Sequence, residues 1–350
     1  MKIARQNLLE TARAILVELG ETKDSAAVAA DSLVRADMRG VSTHGINLLR
    51  LVAQRVDAKM LELPTRVTNV SDFGATAVLD GNNGLGQVAA YQALKLCMSK
   101  ARQFGIGMVN LRNTNNIGAL GCITGEAARQ GLISIIMTNG NPSVAPFGAA
   151  EPFFGTNPIS VAVPRGALEP LVLDMSSSVV ARGKIRLASL SEKEIPLGWA
   201  LDPEGNQTTD PKKALKGCLL PLGGPKGSGL AMMIDILSGM LTGSAYGDKL
   251  RSFHELDGPT GVGASFICID VARFVGVANF EQAVTEYAQR IKGLRRQPGF
   301  EEILLPGEFE TQKEHESNES GIDVPEAIVK GIDEISARLG CSSRLGSIGS

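Results

Sequence analysis

Features that would indicate a zinc site, a disulfide framework, a membrane span or a signal peptide are scarce or missing in this sequence. It has five cysteines, and no two of them form a Cys-x-x-Cys pair: Cys97, Cys122, Cys218, Cys268 and Cys341. This spacing indicates neither a zinc site nor a disulfide framework, so we expect reduced thiols in a cytoplasmic protein. The longest apolar segment, 229–246, contains Asp235 and is too short and polar to predict a membrane span. The first residues form no long apolar run, so no signal peptide is predicted.

An excess of charge of one sign is also absent. The 350 residues contain 35 lysines and arginines against 37 aspartates and glutamates, a formal net charge of −2. There is no basic block, so nucleic acid is not an expected partner. With 43% hydrophobic and 21% charged residues, the composition is that of an ordinary soluble enzyme. The length predicts two or three domains and a core that needs no metal ion or disulfide bond.

Histidine is scarce, and one of the three histidines occupies a conspicuous position. His44 lies in the segment 36–45, at the end of a helical pattern and beside two glycines. Imidazole exchanges protons near neutral pH, so His44 is a candidate acid or base. A histidine at this place can also simply satisfy backbone groups at a helix end, and the sequence leaves both interpretations open. His254 and His315 lie in polar stretches, where surface positions are expected.

The hydrophobic pattern predicts a helical beginning followed by alternating strands and helices. The predicted helices are 5–20, one from Asp24 onward, 46–59, 87–104, 117–131, 229–241, 280–294 and 324–339. The predicted strands are 76–80, 107–111, 132–137, 159–163, 171–175 and 266–270. The last two strands before residue 180 flank a short turn and predict a hairpin. The segment 308–321 is highly charged and predicts a flexible loop.

Glycine-rich turns suggest a bound nucleotide, but none has the Rossmann pattern. The segment 81–86 is Gly-x-x-Gly-x-Gly, the reverse of the dinucleotide fingerprint, and a tightly packed helix start explains it equally well. The turn 223–229 opens an apolar helix and includes Lys226, so it is a candidate cradle for phosphate or carboxylate. It is not a P-loop, because Gly227 stands where Ser or Thr would be needed. A plain helix cap remains the alternative.

Together these segments resemble one family, the malate/L-lactate dehydrogenase family of NAD(P)-dependent oxidoreductases, with the greatest similarity to ureidoglycolate dehydrogenases. The resemblance rests on short motifs that follow one another across nearly the whole chain. They are 36–45, 80–87, 146–148, 155–158, 173–176, 180–184, 198–200, 208–211, 224–227 and 305–308. Each motif alone is weak, and their combination is specific.

The resemblance implies a fold and a division of the chain. It implies an α/β (α+β) fold, in which a non-Rossmann NAD(P)-binding domain contains a mixed, largely antiparallel sheet. Residues 1–72 and 310–350 would form a helical domain, and 73–309 the nucleotide-binding and catalytic domain. A homodimer or higher homo-oligomer with the site near a subunit interface is also implied.

The resemblance also implies which residues form the site. NAD or NADP would contact Gly140, Thr156, Asp174, Met175, Ser176, Lys226, Gly227, Gly307, Glu308 and Phe309. His44 matches the family histidine that donates a proton to the carbonyl group. Thr43 and Leu48 occupy the positions at the substrate, and no metal ion is implied.

Two positions depart from the family pattern. Many members carry a second histidine four residues after the position of Arg112, where this chain has Asn116. Asparagine can donate a hydrogen bond but cannot deliver a proton. Many members carry an arginine that suits a substrate carboxylate where this chain has Leu48, and Arg50 would point to another face of the helix. We therefore expect His44 to donate the proton, Asn116 to bind the developing oxyanion, and recognition of the acid group to differ.

The expected function is hydride transfer between nicotinamide and a small 2-hydroxy or 2-oxo acid resembling malate, lactate or ureidoglycolate. Reduction of a cyclic imine (ketimine) needs the same hydride and proton, so the sequence keeps it as an alternative. A catalytically impaired homologue that binds NAD(P) is a further alternative, because Leu48 and Asn116 both depart from the pattern.

Overall fold

Strands and helices alternate through most of the computed structural model, which describes residues 1–345. The strands are β1 (Lys2–Ile3), β2 (Thr68–Phe73), β3 (Thr76–Asp80), β4 (Ile106–Thr114), β5 (Leu132–Thr138), β6 (Ile159–Val163), β7 (Leu171–Met175), β8 (Ala200–Leu201), β9 (Cys218–Leu219), β10 (Val262–Asp270) and β11 (Ile322–Asp323). The helices are α1 (Arg5–Glu18), α2 (Lys23–Met38), α3 (Leu48–Asp57), α4 (Gly86–Phe104), α5 (Leu120–Arg129), α6 (Arg182–Leu190), α7 (Pro211–Lys216), α8 (Pro225–Asp235), α9 (Val277–Lys292), α10 (Glu308–Ser320) and α11 (Glu326–Arg338). Short 3-10 helices cover Ser42–His44, Gly247–Lys249 and Val271–Arg273, and a π-helical turn covers Ile236–Met240.

The central sheet has seven strands in the spatial order β2-β3-β4-β10-β5-β6-β7. The pair β3 and β4 is parallel, and the other neighbouring pairs in this sheet are antiparallel. The predicted mixed, largely antiparallel sheet is therefore confirmed. The predicted hairpin is also confirmed, because Ile159 pairs with Met175 and Val163 with Leu171.

Helices α4 and α5 cover the sheet and bury its main core. Leu94 of α4 and Ile123 of α5 pack in one cluster with Val109, Leu111 and Phe266 of the strands. Helix α4 stops at Gly105, whose φ of +87° is one that residues with a side chain rarely adopt. This stop turns the chain directly into β4, which carries the next part of the candidate site at its far end.

The two ends of the described chain share a separate helical core. Strand β1 pairs antiparallel with β11, and Met1 also accepts a backbone hydrogen bond from Val324. Leu8, Leu49 and Ile332, from α1, α3 and α11, are buried in one cluster. The proposed domain division at 72/73 and 309/310 stays a prediction, and residues 346–350 of the predicted helical domain lie outside the described range.

A third, smaller cluster packs beside α8, which contributes Ala231. Its buried members include Val144, Phe154, Ile185 and Leu219, which come from loops and from the short elements α6 and β9. Helix α8 begins at Pro225, four residues before the predicted start, because proline suits the first position of a helix. Among residues 1–345, no helix has the length and apolar character needed to cross a membrane.

The prediction of a flexible loop over 308–321 is wrong, because Glu308–Ser320 form α10. Glutamates in its first turn suit the positive end of the helix dipole. Its contacts with α2 are polar: Glu314 Oε2 lies 2.6 Å from Arg39 Nη1, and Ser317 Oγ donates to Met38 O at 3.0 Å. The helix lacks an apolar stripe, and long-range polar contacts hold it in place.

Candidate active site

His44 lies on a tight turn that follows α2. The His44 N–H donates to Val41 O at 2.9 Å, which closes the 3-10 helix, and Val41 N donates to Ala36 O at 2.8 Å. We call Val41–Ile46 the His44 turn. The imidazole is half-buried, and its buried Nδ1 has no hydrogen-bond partner within residues 1–345. Burial lowers the pKa of His44, while the Asn116 side chain opposes this shift. The fold therefore brings the two predicted catalytic residues together and favours neutral imidazole.

Asn116 lies in the loop that follows β4, and hydrogen bonds to the end of β3 and its loop hold this region in place. The Asp80 carboxylate accepts hydrogen bonds from Arg112 Nε at 2.8 Å and from Asn113 Nδ2 at 2.9 Å. Asn115 Nδ2 donates to Gly84 O at 2.9 Å, which ties the loops after β3 and β4 together. A Cβ on Gly86 would overlap the Asn116 carbonyl oxygen. The glycines that resembled a reversed nucleotide fingerprint thus pack against the Asn116 loop.

The Asn116 amide is oriented by its own backbone. Its Oδ1 accepts a hydrogen bond from Gly118 N at 2.9 Å. Three residues further on, Gly121 N at the start of α5 donates to Asp174 Oδ2 at 2.7 Å. The loop 116–121 therefore connects the His44 turn with the end of β7, where cofactor contacts are predicted.

The two predicted substrate positions have different surroundings. Thr43 is exposed and faces α6, where a Cβ on Gly183 would lie 3.2 Å from its methyl group. Leu48 is 5% exposed and packs in the helical core. Arg50 lies on the exposed side of α3, as its helical spacing indicates. A direct contact between the Leu48 side chain and a substrate therefore has no support from its packing.

Two arginines, Arg50 of α3 and Arg186 of α6, place positive charge near His254. Partial burial together with Arg186 and Arg50 lowers the pKa of His254, and Glu255 opposes this shift. Arg186 lies one turn after Gly183 on α6. Neither arginine forms an ion pair or hydrogen bond with another residue of the described chain. The sequence could not reveal this group, because its members come from three distant segments.

Several predicted cofactor residues meet in a set of glycine-lined turns. We call Gly140, 155–157, Ser177 and 223–228 the glycine wall. Thr156 O accepts from both Ser177 N and Ser177 Oγ at 2.8 Å. Asn157 Oδ1 accepts from Gly140 N at 3.2 Å, and Asn157 Nδ2 donates to Ala231 O of α8 at 3.0 Å. A dense network of backbone contacts thus assembles this wall.

The remaining predicted cofactor residues lie around β7. Val172 N donates to Pro306 O at 3.0 Å, which places Gly307 and Glu308 beside the strand. Phe309 is 51% exposed. Surrounding protein raises the pKa of Asp174 to about 6, opposed by the hydrogen bond from Gly121. Burial opposes the ionisation of Glu308, but Leu305 N–H and the Lys292 ammonium hold its pKa below the ordinary value. Met175 and Ser176 follow at the end of β7, between these residues and the glycine wall.

The glycine wall fits a dinucleotide phosphate. A Cβ on Gly227 would overlap the backbone of Leu222 and Ser177, so glycine at this position lets the turns of the wall pack closely. Gly227 N and Ser228 N already donate to Leu222 O and Gly224 O, so this helix start attracts an anion mainly through its positive partial charge. Lys226 is exposed there and has no ion pair among residues 1–345. Within the same residues, no cluster of His, Cys, Asp and Glu side chains has the arrangement of a metal site.

Known proteins share this architecture over nearly its full length. The family profile described as malate/L-lactate dehydrogenase matches residues 3–333. Malate dehydrogenase of Pyrococcus horikoshii is 35% identical, with 97% of this chain and 96% of that protein covered. Ureidoglycolate dehydrogenase (NAD(+)) of Escherichia coli O157:H7 is 33% identical, with 94% of each covered.

Solved structures agree with these sequence relatives. Sulfolactate dehydrogenase of Methanocaldococcus jannaschii superposes with a TM-score of 0.93 at 36% identity, over 97% of this chain and 98% of that one. Delta1-piperideine-2-carboxylate reductase of Pseudomonas syringae pvar. tomato superposes with a TM-score of 0.86 at 29% identity, over 96% and 99%. The fold is that of a class of nicotinamide-dependent oxidoreductases. The chain belongs to the malate/L-lactate dehydrogenase family, which confirms the predicted family, enzyme class and type of cofactor.

Asp37 is a candidate that the sequence alone did not reveal. It lies at the end of α2, half-buried, and its Oδ2 accepts from Ile46 N at 2.7 Å across the His44 turn. Burial raises the pKa of Asp37 to about 7, and the hydrogen bond from Ile46 opposes the shift. The one available signal was an acidic residue within the 36–45 motif.

Proposed function

We propose that this chain is an NAD(P)-dependent oxidoreductase that acts on a small 2-hydroxy or 2-oxo acid. The observation that carries the proposal is the meeting of His44, with its unpartnered buried Nδ1, and Asn116, whose loop reaches Asp174 through Gly121 N. A buried polar atom without a partner is costly unless a ligand completes it. The two relatives with the printed names malate and ureidoglycolate dehydrogenase support this substrate class.

His44 handles the proton in this proposal. The bound nicotinamide supplies or accepts the hydride. In the oxidative direction, neutral His44 accepts the proton of the substrate hydroxyl group. In the reductive direction, protonated His44 gives a proton to the oxygen that carries the developing charge. Because burial lowers the pKa of His44, the imidazole is ready to act as a base at neutral pH.

Asn116 assists without carrying a proton. Its amide oxygen is engaged by Gly118 N–H, so its amide nitrogen is the group available to donate to a substrate oxygen. A positioned donor of this kind contributes about 3 kcal/mol to lowering the barrier in a dry site. Lys226 and the start of α8 would hold a cofactor phosphate, and the residues around β7 would hold the rest of the dinucleotide.

The substrate acid group finds its counter-charge on α6 and α3. Leu48 leaves no cation at the position where many family members have arginine. Arg186 and Arg50 are free of internal partners in the described chain and lie close enough to lower the pKa of His254 after burial. We assign the carboxylate contact to this pair, and Arg186 lies on α6, the helix whose Gly183 is next to Thr43.

The test is a substrate panel with NADH and NADPH, followed by His44→Ala. We expect turnover on at least one 2-oxo acid, and a loss in His44→Ala of at least about a hundredfold in kcat, the size expected for a general acid or base. Cofactor fluorescence should show a dissociation constant within about threefold of the wild type, since the group lost is not a binding cation. Near-normal turnover in His44→Ala would reject the proposed role.

A cyclic-imine reductase is the second candidate function. The structural match to a delta1-piperideine-2-carboxylate reductase favours it, because that compound contains a C=N bond that needs the same hydride and proton. Cyclic imino acids in the same panel distinguish the two functions. Cofactor binding without turnover on any substrate would instead support a catalytically impaired homologue.

We also propose a homodimer or larger assembly in the cytoplasm. Met232 and Met233 of α8 and the following Met240 and Leu241 are exposed apolar side chains. Such a patch on one helix is typical of a surface covered by a second copy. All five cysteines are free and buried, in keeping with a reducing compartment. Light scattering of the purified protein measures the assembly, and a monomer at micromolar concentration would contradict it.

A further inference from the structure

The side chain of Asp37 is the single polar link from α2 to the exit of the His44 turn. Its Oδ2 accepts the Ile46 N–H at 2.7 Å. The neighbouring N–H groups bond within the turn itself, His44 N to Val41 O at 2.9 Å and Gly45 N to Ser42 O at 3.2 Å. These local bonds set the shape of the turn but do not attach its far end to the helix. Only the Asp37 carboxyl does so among the hydrogen bonds of residues 1–345.

The Asp37 carboxyl group also occupies the space that a side chain at position 45 would need. A Cβ on Gly45 would overlap all three terminal atoms of Asp37, its Oδ1, Cγ and Oδ2. Gly45 has φ −88° and ψ −160°, an extended conformation open to alanine. Glycine at 45 is therefore required by the contact with Asp37 and is not required by the backbone angles.

No positively charged group of the described chain pairs with the Asp37 carboxyl group. Asp37 forms no ion pair within the described chain, and Ile46 N–H is the one group that lowers its pKa against the effect of burial. Burying a carboxyl without a cation is costly. A neutral or apolar residue would fill the space at lower cost, so the cost points to a role in the site.

We infer that Asp37 is a positioning residue, whose oxygen, seated against Gly45, holds the His44 turn and fixes where the imidazole stands. This inference rests on the proposed function, because it assigns Asp37 to the proton step of His44. Asp37 does not touch the reacting atoms in this account. It acts through the backbone between Gly45 and Ile46, and displacement of a catalytic group by about 1 Å can cost about a hundredfold in rate.

The first experiment compares Asp37→Ala, Asp37→Asn and the wild type. Asparagine keeps an oxygen that can accept from Ile46 N–H, whereas alanine removes it. We expect kcat to fall at least about tenfold in Asp37→Ala, with KM and the NADH dissociation constant within about threefold, and Asp37→Asn to regain most of the lost kcat. Asp24→Ala, an exposed change in the first turn of the same helix, is the matched control and should behave as wild type. Equal losses in Asp37→Ala and Asp37→Asn would overturn the inference.

A second experiment uses the contact with Gly45. In the wild type, Gly45→Ala places a methyl group into the Asp37 carboxyl, so kcat should fall at least about tenfold. In the Asp37→Ala background the space is free, and Gly45→Ala should cause less than about twofold further loss, a strong departure from additivity. Independent, multiplicative losses would contradict the fit between the two residues.

A third measurement does not depend on turnover. The chain has three histidines, so a histidine-labelled NMR spectrum is simple, and His44→Gln assigns the signal of interest. We expect the His44 signal to move in Asp37→Ala and to return in Asp37→Asn, with melting temperatures showing that each variant is folded. If the enzyme turned over no substrate, the proposed function would fail while this measurement still tested the positioning role. An unmoved His44 signal in folded Asp37→Ala would overturn it.

Discussion

The glycine wall and the His44 turn differ in how they are held. The glycine wall is fixed by many backbone contacts, such as those of Thr156 with Ser177 and of Asn157 with Gly140 and Ala231. The His44 turn depends on a few, with Asp37 and the Asn116 loop as the main ones. The resemblance also predicts that the wall follows the family pattern, whereas Asn116 and Leu48 depart from it. If the proposed roles hold, cofactor binding is built into the backbone, while the chemistry and substrate choice are set by a few side chains.

The largest effect is expected at Lys226. If its charge proved unimportant for cofactor binding, the contrast between the glycine wall and the His44 turn would fail. Lys226→Met removes the free cation at the start of α8. A charge-assisted contact contributes about 1.5–3 kcal/mol, so we expect the NADH dissociation constant to rise about tenfold to a hundredfold, with kcat at saturating cofactor little changed. Fluorescence titration measures this effect. Lys216→Met, an exposed lysine on α7, is the control. An unchanged dissociation constant would show that the wall does not bind the phosphate.

Arg186→Gln tests whether a single side chain provides the contact with the substrate acid group. Removal of an exposed cation that meets the acid group should raise KM for a 2-oxo acid about fivefold to tenfold, with the NADH dissociation constant unchanged, since exposed pairs contribute modestly. Steady-state kinetics on the best substrate of the panel measures this. Lys193→Gln, exposed just beyond α6, serves as the control. A normal KM in Arg186→Gln would remove this arginine from the acid contact.

Asn116→His asks whether the departure from the family tunes substrate choice. Histidine at this position adds a second group able to transfer protons, so activity on malate or ureidoglycolate should rise by a factor of about three or more. The ratio of kcat/KM values for these substrates over the best substrate of the wild type is the quantity to measure. A fall in activity on every substrate would indicate that Asn116 is needed as an amide.

The smallest expected effect is on pH dependence. Because burial places the pKa of His44 below its ordinary 6.5, neutral imidazole persists to lower pH in the folded protein. Oxidation should therefore keep its rate as pH falls through 6.5 and decline only below the lowered pKa. Reduction, which uses protonated His44, should still be rising at pH 6.5 as the pH is lowered. Profiles of kcat in both directions measure this, and an oxidation limb centred above 6.5 would contradict it.

The sequence predicted those parts that depend on local pattern. The β6–β7 hairpin follows from two β-branched runs around a short turn, and α1 to α4 follow from apolar spacing. Helix α10 was missed because it has no apolar face and relies on Glu314 and Ser317 contacting α2, about 275 residues away. Arg186 and His254 could not be identified for the same reason, since they meet across segments distant in sequence. Asp37 lies only nine residues from Ile46, and it was missed because no sequence pattern reveals how the turn between them folds. The departure from the family pattern at Leu48 stays a prediction, and the packing of Leu48 in the helical core required the structure.

The pairing of β1 with β11 implies an order in which the parts of this enzyme fold during synthesis. The central sheet lies wholly between residues 68 and 270, so its strands can meet while the chain is still being made. The layer that carries His44 must wait for residues 322–338 before its apolar surfaces are covered. On the ribosome, the central sheet would therefore mature first, and His44 would gain its final surroundings only after residues 322–338 have been made.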